Sequence, residues 1–575
     1  MTKDEEKRAA DGEAGGGGGG GTAGDVGEMV RAGERLVGEV FGHAGLREMQ
    51  RRVVERVFGE VGRWMKGSAA AGDGSADGLG RTDGGSGGGV GGAMVVMPTG
   101  SGKSLCYQLP AVALSRLRGG ETKSGEGGAG VTLVLSPLIA LMEDQVSALK
   151  EKGVRAAYVN STLSRSEREK RYRKLGGGAY EVMYATPERM GKSDFREALE
   201  RAPGGVHLLA VDEAHCISKW GHDLRPAYRE VGRFRRELGE PATVALTATA
   251  TPAVRDDIRA VLGFGEAELP LFATGIERPN LSLRVEDAWD DRRKDAAIER
   301  TALEMEGTGI VYYALIKDLD RAASRLRERL GKEGREVAVY HGRLPAREKR
   351  KVYRRFIEAR PGDGLVLLAT NAFGMGVDKA DIRFIVHAQL PGSVEAYYQE
   401  VGRAGRDGER SECVLLYCED DVAIQQQFVE WQNPSAELVW RAAAAIESEY
   451  GTGKDVEFDA DMVSKEVTGR FGDGRFGYVL TELEHLGVIE VSQLGGYGEV
   501  GRGREGGGGE RGGRGGERRG GDEAWYRWVR PLREGEVDEA EVEAKRKRDL
   551  MRLLEVVKLK DAEDVAARVE AYFEL

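Results

Sequence analysis

The stretch M-P-T-G-S-G-K-S, Met97 to Ser104, decides how this 575-residue chain is read. A short apolar run, Ala93 to Met97, precedes it, and a segment with helical character follows. Strand, glycine-rich turn and helix N-terminus in that order make a phosphate cradle, because backbone N–H groups converge and the helix end adds partial positive charge. Thr99, Gly100, Ser101 and Gly102 would form the cradle. Lys103 would reach the β- and γ-phosphates of a nucleotide such as ATP, and the Ser104 hydroxyl would ligate Mg2+. Met97 stands where the strict pattern wants glycine, so the motif alone also admits a glycine-rich loop with a chance lysine.

L-L-A-V-D-E-A-H, Leu208 to His215, strengthens the case. An apolar run ending in two carboxylates suits a buried parallel strand, whose C-terminal end is where open α/β sheets bind ligands. Asp212 would hold Mg2+ through water, and Glu213 would orient and deprotonate the attacking water. An acidic loop after a strand is the plainer alternative.

Composition sets bounds on this reading. Hydrophobic residues make up 40% of the chain, so globular cores are feasible, and the length suits about three or four domains. The formal net charge of −11 does not advertise a nucleic-acid binder, although a groove depends on local charge. Cys106, Cys216, Cys413 and Cys418 fit neither a disulfide framework nor a paired zinc motif. No apolar run approaches the ~20 residues that cross a bilayer, and the N-terminus lacks the centre of a signal peptide. A soluble, cytoplasmic protein with no membrane partner is expected.

The 85 glycines gather in patches. Residues 1–27 read as a disordered tail, 67–92 as an insert ahead of the phosphate loop, 119–130 as a shorter insert, and 501–523 as a glycine-arginine-glutamate linker. Between them strands and helices alternate. Strand-like runs at 131–135, 182–184, 208–211 and 243–246 form one series, and runs at 309–313, 337–340, 365–369, 384–387 and 413–417 form another. That rhythm predicts an α/β fold with two tandem parallel-sheet domains, over 28–270 and 271–421. Residues 422–575 read as a helical, winged-helix-like module, with a helix over 436–450, a helix and strand within 477–491, and a partner strand near 526–529.

The remaining motifs carry a resemblance. MPTGSGKSLCYQLPA, SPLIALMEDQV, YATPER, VDEAHCISKWGHDLRPAYREV, ALTATAT, LLATNAFGMGVDKADIRFIVH and YYQEVGRAGRDG follow the order seen in RecQ-type ATP-dependent DNA helicases. The likeness is dense from about Val40 to Asp421. It implies two RecA-like lobes that close on ATP and Mg2+, 3′–5′ travel on single-stranded DNA, action on forked duplex DNA, and a role in repair or recombination. A single-strand-binding protein is a candidate partner, and nucleoid association is implied if the source is bacterial. An ATP-driven RNA helicase, or a DNA-binding protein with a vestigial ATPase, are the alternatives.

Residue roles follow from the same resemblance. In FGHAGLREMQ, Gln50 would read the adenine edge, with Arg47 in support. Ser136 and Thr186 would meet DNA phosphates, though T-P-E also suits a helix N-cap. Trp220, His222, Arg225 and Tyr228 would form the loop coupling DNA binding to hydrolysis, with Leu224 standing where the family usually has phenylalanine. Thr247 and Thr249 would bridge the lobes, and Gly376 and Asp378 would line the cleft. Arg403 and Arg406, on one face if their segment is helical, would reach the γ-phosphate, and Gln399 would help position water. Trp525, Tyr526 and Trp528 would either grip duplex or pack the wing. Asp564 stands at the first position of the four-cysteine zinc site that many relatives carry, so no zinc is expected.

Overall fold

A computed structural model describes residues 26–71, 90–119, 130–218, 226–275, 278–374, 377, 379–450, 460–470, 473–494 and 524–574. Residues 1–25 of the tail, most of both glycine-rich inserts, the 501–523 linker and the Trp220, His222, Arg225, Gly376 and Asp378 positions lie outside these residues, whereas Val26 and Gly27, read as the end of the tail, begin helix Val26–Glu39.

Strands β1 (Gly92–Val96), β2 (Val131–Leu135), β3 (Ala156–Val159), β4 (Val182–Ala185), β5 (Val206–Val211), β6 (Ala242–Thr247) and β7 (Leu271–Ala273) form one sheet. Its order is β3-β4-β2-β5-β6-β1-β7, and every pairing is parallel. The strands β1, β2, β5 and β6 are buried at every position, as expected of strands covered by helices on both faces. This order aligns the turns after β4, β2, β5, β6 and β1 along one edge, and those turns hold TPER, SPL, DEAH, TAT and the phosphate loop.

The second sheet holds β8 (Leu281–Asp287), β9 (Thr308–Tyr312), β10 (Val337–Tyr340), β11 (Val366–Ala369), β12 (Ile382–His387) and β13 (Ser411–Tyr417). Its order is β10-β11-β9-β12-β13-β8, again all parallel. The expected pair of tandem parallel-sheet domains is therefore present, and these are RecA-like lobes. The sequence reading needs one shift at their border: β7 pairs with β1, Met94 opposite Leu271, so the first lobe runs past residue 270.

The C-terminal boundary needs a larger correction. Helix Glu419–Gln432 packs beside helix Glu539–Val557. Asn433 Nδ2 donates to Asp549 Oδ2 at 3.0 Å, and Lys545 Nζ donates to Asn433 Oδ1 at 2.8 Å. Val556, Leu559, Val565, Val569 and Phe573 are buried in the second lobe's core with Tyr397, Tyr398 and Val401. Residues 539–574 thus belong to the second lobe, not to a separate module spanning 422–575.

What remains is an insertion between the two arms of that helix pair. Helices Ala436–Tyr450, Ala460–Thr468 and Gly474–His485 enclose their own core with the antiparallel ribbon β14 (Ile489–Leu494) and β15 (Ala524–Trp528). Its entry and exit meet, because the Ala436 N–H donates to Glu539 Oε2 at 2.7 Å. Trp528 is 1% exposed within that core and Tyr526 packs against it, so these two aromatics pack the wing. Among the described residues no helix is long and apolar enough to cross a membrane.

Candidate nucleotide site and interlobe cleft

The phosphate loop turns sharply between β1 and helix Leu105–Gly119. Gly100 and Gly102 both have φ near +82°, a region that side chains with a Cβ adopt only under strain. Side chains from two elements also crowd both glycines. A Cβ on Gly102 would lie 2.6 Å from Gln50 Nε2, and one on Gly100 would lie 3.2 Å from Cγ and Cδ of Arg406. The loop is therefore pressed from both sides, by the upstream element and by the second lobe.

Lys103 is held low in this loop, its Nζ donating to the carbonyls of Met97 at 2.9 Å and Pro98 at 3.2 Å. Burial lowers its pKa from 10.5, Glu213 and Asp212 pull the other way, and the nearby Arg406 adds to the lowering. Asp212 has the mirror problem. Burial and the adjacent Glu213 push its pKa up to about 7, against the pull of Lys103. A buried carboxylate held this high lacks positive charge, so the chemistry of the donor set fits a cation at Asp212 and phosphates at Lys103. Ser104 follows Lys103 and lines the same cleft.

Glu213 takes a left-handed conformation, φ 50° and ψ 46°, at the end of β5. That costs a non-glycine residue about 1–2 kcal/mol, and such strain concentrates at functional sites. The turn projects Glu213 into the cleft, where its Oε2 lies 3.3 Å from His215 Nδ1. The same His215 nitrogen lies 3.0 Å from Thr247 Oγ1, which donates to the Thr249 carbonyl at 2.9 Å.

Three sequence assignments change at this point. Thr247 and Thr249 are buried and tie the turn after β6 to the DEAH turn inside the first lobe; they do not bridge the lobes. Tyr228 is fully buried, and its hydroxyl donates to the Asp212 carbonyl at 2.8 Å, so it braces the acidic turn and is not available to DNA. Ser136 is 1% exposed and its hydroxyl donates to Asp212 Oδ2 at 3.4 Å, so it braces the acidic turn. Thr186 sits at the N-cap of the short helix Pro187–Gly191, and its side chain makes no capping bond.

Gln50 and Arg47 also lie against the loop. Gln50 Nε2 donates to the Ser101 carbonyl at 3.1 Å and the Gly102 carbonyl at 3.3 Å. Its Oε1 accepts from the Arg47 N–H at 2.9 Å, while Arg47 donates to the Ser101 carbonyl at 3.2 Å. The amide that would read an adenine edge is thus in direct contact with the cradle.

From the opposite wall the second lobe supplies two arginines. Helix Val394–Val401 ends before them, so Arg403 and Arg406 lie on a turn and not on one helical face. Arg403 donates to the Gly374 carbonyl within its own lobe. Arg406 donates to the Val377 carbonyl at 2.9 Å and crosses to Gly100. Thr99, Lys103, Asp212, Glu213, Gln399, Arg403 and Arg406 all line one interlobe cleft of about 1060 Å3.

The sequence reading missed further cleft residues. His387 lies 2.7 Å from Glu400 Oε2 and stacks on Tyr312, while Gln389 Oε1 accepts from the Ala314 and Leu315 N–H groups at 2.9 and 3.0 Å. His387 and Glu400 belong to quoted motifs, yet their pairing across β12 and the following helix leaves no sequence signal. Asp564, at the expected cysteine position, caps helix Val565–Phe573 by accepting from the Ala567 N–H at 3.0 Å.

Comparison with known proteins agrees with this geometry. The DEAD/DEAH box helicase family matches residues 89–258, and the helicase conserved C-terminal domain matches 293–408. The ATP-dependent DNA helicase RecQ of Bacillus subtilis is 45% identical over 338 residues, 58% of this chain and 52% of that protein. The chain carries the two helicase domains, and across them it is similar to RecQ-type helicases. The probable ATP-dependent DNA helicase RecS of B. subtilis is 39% identical over 60% of this chain and 65% of its own length. The matched part of this chain thus spans between half and two thirds of these relatives. Among solved structures, the DUF1998 helicase MrfA bound to DNA aligns with a TM-score of 0.51 at 19% identity, covering 88% of this chain and 59% of that one, a likeness of fold.

Proposed function

We propose that this RecQ-type core works as an ATP-driven DNA helicase, moving 3′ to 5′ along one strand and parting a forked duplex. The observation that carries the proposal is Arg406, an arginine of the second lobe packed on Gly100 of the first lobe's phosphate loop beside Lys103. A residue shared between lobes in this way makes lobe closure and phosphate chemistry one event, because an arginine brought to the γ-phosphate stabilises transition-state charge. The relatives' common name as DNA helicases supports DNA over RNA as the track. By the same likeness we assign it to DNA repair or recombination.

In this reading Gly100 to Gly102 and Lys103 hold the phosphates, Ser104 and Asp212 hold Mg2+, and Gln50 with Arg47 receives adenine. Mg2+ held by these residues would supply positive charge to the reacting phosphates. Glu213 orients the attacking water and accepts its proton, with His215 fixing the carboxylate through the contact at Oε2. Tyr228 and Ser136 keep Asp212 in place. The test is strand displacement on forked substrates with a DNA or an RNA tracking strand, for the wild type and Lys103→Ala. DNA-dependent displacement that Lys103→Ala abolishes supports the proposal. Equal ATP hydrolysis by the two proteins in the presence of single-stranded DNA refutes it.

A further inference from the structure

A second concavity, about 740 Å3, opens where the second lobe, the helix pair and the inserted module meet. Four arginines converge on it from four separate elements. Arg343 comes from the turn after β10, Arg470 from the turn after helix Ala460–Thr468, Arg475 from helix Gly474–His485, and Arg546 from helix Glu539–Val557. Two of them are matched by acids. Arg475 makes a two-pronged contact with Asp473 at 3.0 and 2.8 Å, and Arg546 lies 3.5 Å from Glu430. Arg343 and Arg470 are exposed, with no ion pair to a carboxylate among the described residues.

This local excess of positive charge runs against the chain's formal net charge of −11. Helix Ala346–Glu358, which follows Arg343, carries six basic residues against Glu348 and Glu358. Of these, Arg347, Lys351 and Arg354 are exposed at helical spacing, so they form one stripe. Like charges brought together from distant parts of a chain repel unless an anion offsets them. Planar guanidinium groups match phosphate oxygens in both charge and hydrogen-bond geometry.

The walls of the notch belong to two bodies. Arg343 and Arg546 are on the second lobe, whereas Arg470 and Arg475 are on the inserted module. The two bodies touch at its side, where the Trp431 ring lies so close to Gly474 that a Cβ there would be 2.8 to 3.1 Å from it. We propose that this notch binds the sugar-phosphate backbone of a nucleic-acid strand, which spans from lobe to module and clamps the module in place. The proposal rests on the helicase reading above.

The test uses the full chain, a labelled single strand and a labelled tailed duplex. The Arg343→Glu/Arg470→Glu variant changes two exposed side chains outside the nucleotide cleft, so its ATPase without DNA is expected to match wild type. Its affinity for the tailed duplex should fall at least about tenfold near 0.1 M salt, and the slope of log affinity against log salt should shrink by about one to two. A control with the same charge change, Arg165→Glu/Lys332→Glu, should stay within roughly twofold of wild type. If the notch variant also stays within roughly twofold, or the control falls as far as it does, the notch proposal is overturned. If the wild type itself shows no salt-dependent binding to either DNA, the helicase reading has failed first.

Discussion

Ending the chain after Asp421 should destroy the second lobe, although every strand of its sheet lies before that point. The deletion removes Val556, Leu559, Val565, Val569 and Phe573, all buried in that lobe's core. Burying an aliphatic or aromatic side chain of this size is worth about 1.5–3 kcal/mol, so the five together contribute about 8–15 kcal/mol. A whole domain is stable by about 5–15 kcal/mol. The loss is therefore as large as the lobe's entire margin, before counting the Tyr572 hydroxyl bond to Glu395 Oε1 at 2.8 Å. Excising the inserted module should behave differently, because its ends meet at Ala436 and Glu539 and its core is its own. Joining those ends by a short glycine-serine linker costs little closure entropy and should leave the lobe's melting temperature within about 4 °C. Thermal unfolding and limited proteolysis of the two variants provide the comparison. A chain ending at 421 whose second lobe melts with that of the full protein would refute the reasoning.

Other predictions concern the cleft. Arg406→Ala should lower the DNA-stimulated turnover of ATP by about 10³-fold or more while nucleotide binding persists, as single-turnover kinetics would show. Gly102→Ala should weaken nucleotide binding at least tenfold, since it forces a left-handed φ of +82° on alanine and drives its Cβ to 2.6 Å from Gln50; titration with a fluorescent nucleotide reads this out. Because burial and Glu213 hold the Asp212 pKa near 7 in the ligand-free protein, the carboxylate is ionised above that pH and protonated below it. Affinity for Mg2+-nucleotide should then fall as pH drops from 8 to 6, approaching about tenfold per unit below 7, and the Asp212→Asn variant should lose that slope. Metal analysis of the purified chain is expected to find no stoichiometric zinc, and one zinc per chain would refute that expectation.

The sequence was most legible where chemistry requires neighbours along the chain. Met97 to Ser104 and Leu208 to His215 are contiguous because a phosphate cradle and an acidic turn are each built by one segment. Alternation of apolar runs with helical stretches gave both sheets for the same reason. The strands it missed were short or half-exposed. Ala156–Val159 and Leu271–Ala273 offer four and three residues, and Leu281–Asp287 is nowhere fully buried, although the spacing of Leu281, Leu283 and Val285 was a usable signal. Side-chain direction was harder. Ser136, Tyr228 and Thr247 occur in motifs that suggested DNA contact or lobe bridging, and each instead turns inward to the DEAH turn.

Taken alone, then, the order of residues determined which segments can cradle phosphate, ligate a cation and alternate as strand and helix, since those properties depend on neighbours a few positions apart. Tertiary structure alone decided that Arg406, and not Arg403, packs on Gly100, that residues 539–574 complete a core begun far upstream, and that the ribboned module is an insertion. Those facts depend on how sheets stack and which faces are left to be covered. That outcome is set by packing across hundreds of residues, and no local pattern records it.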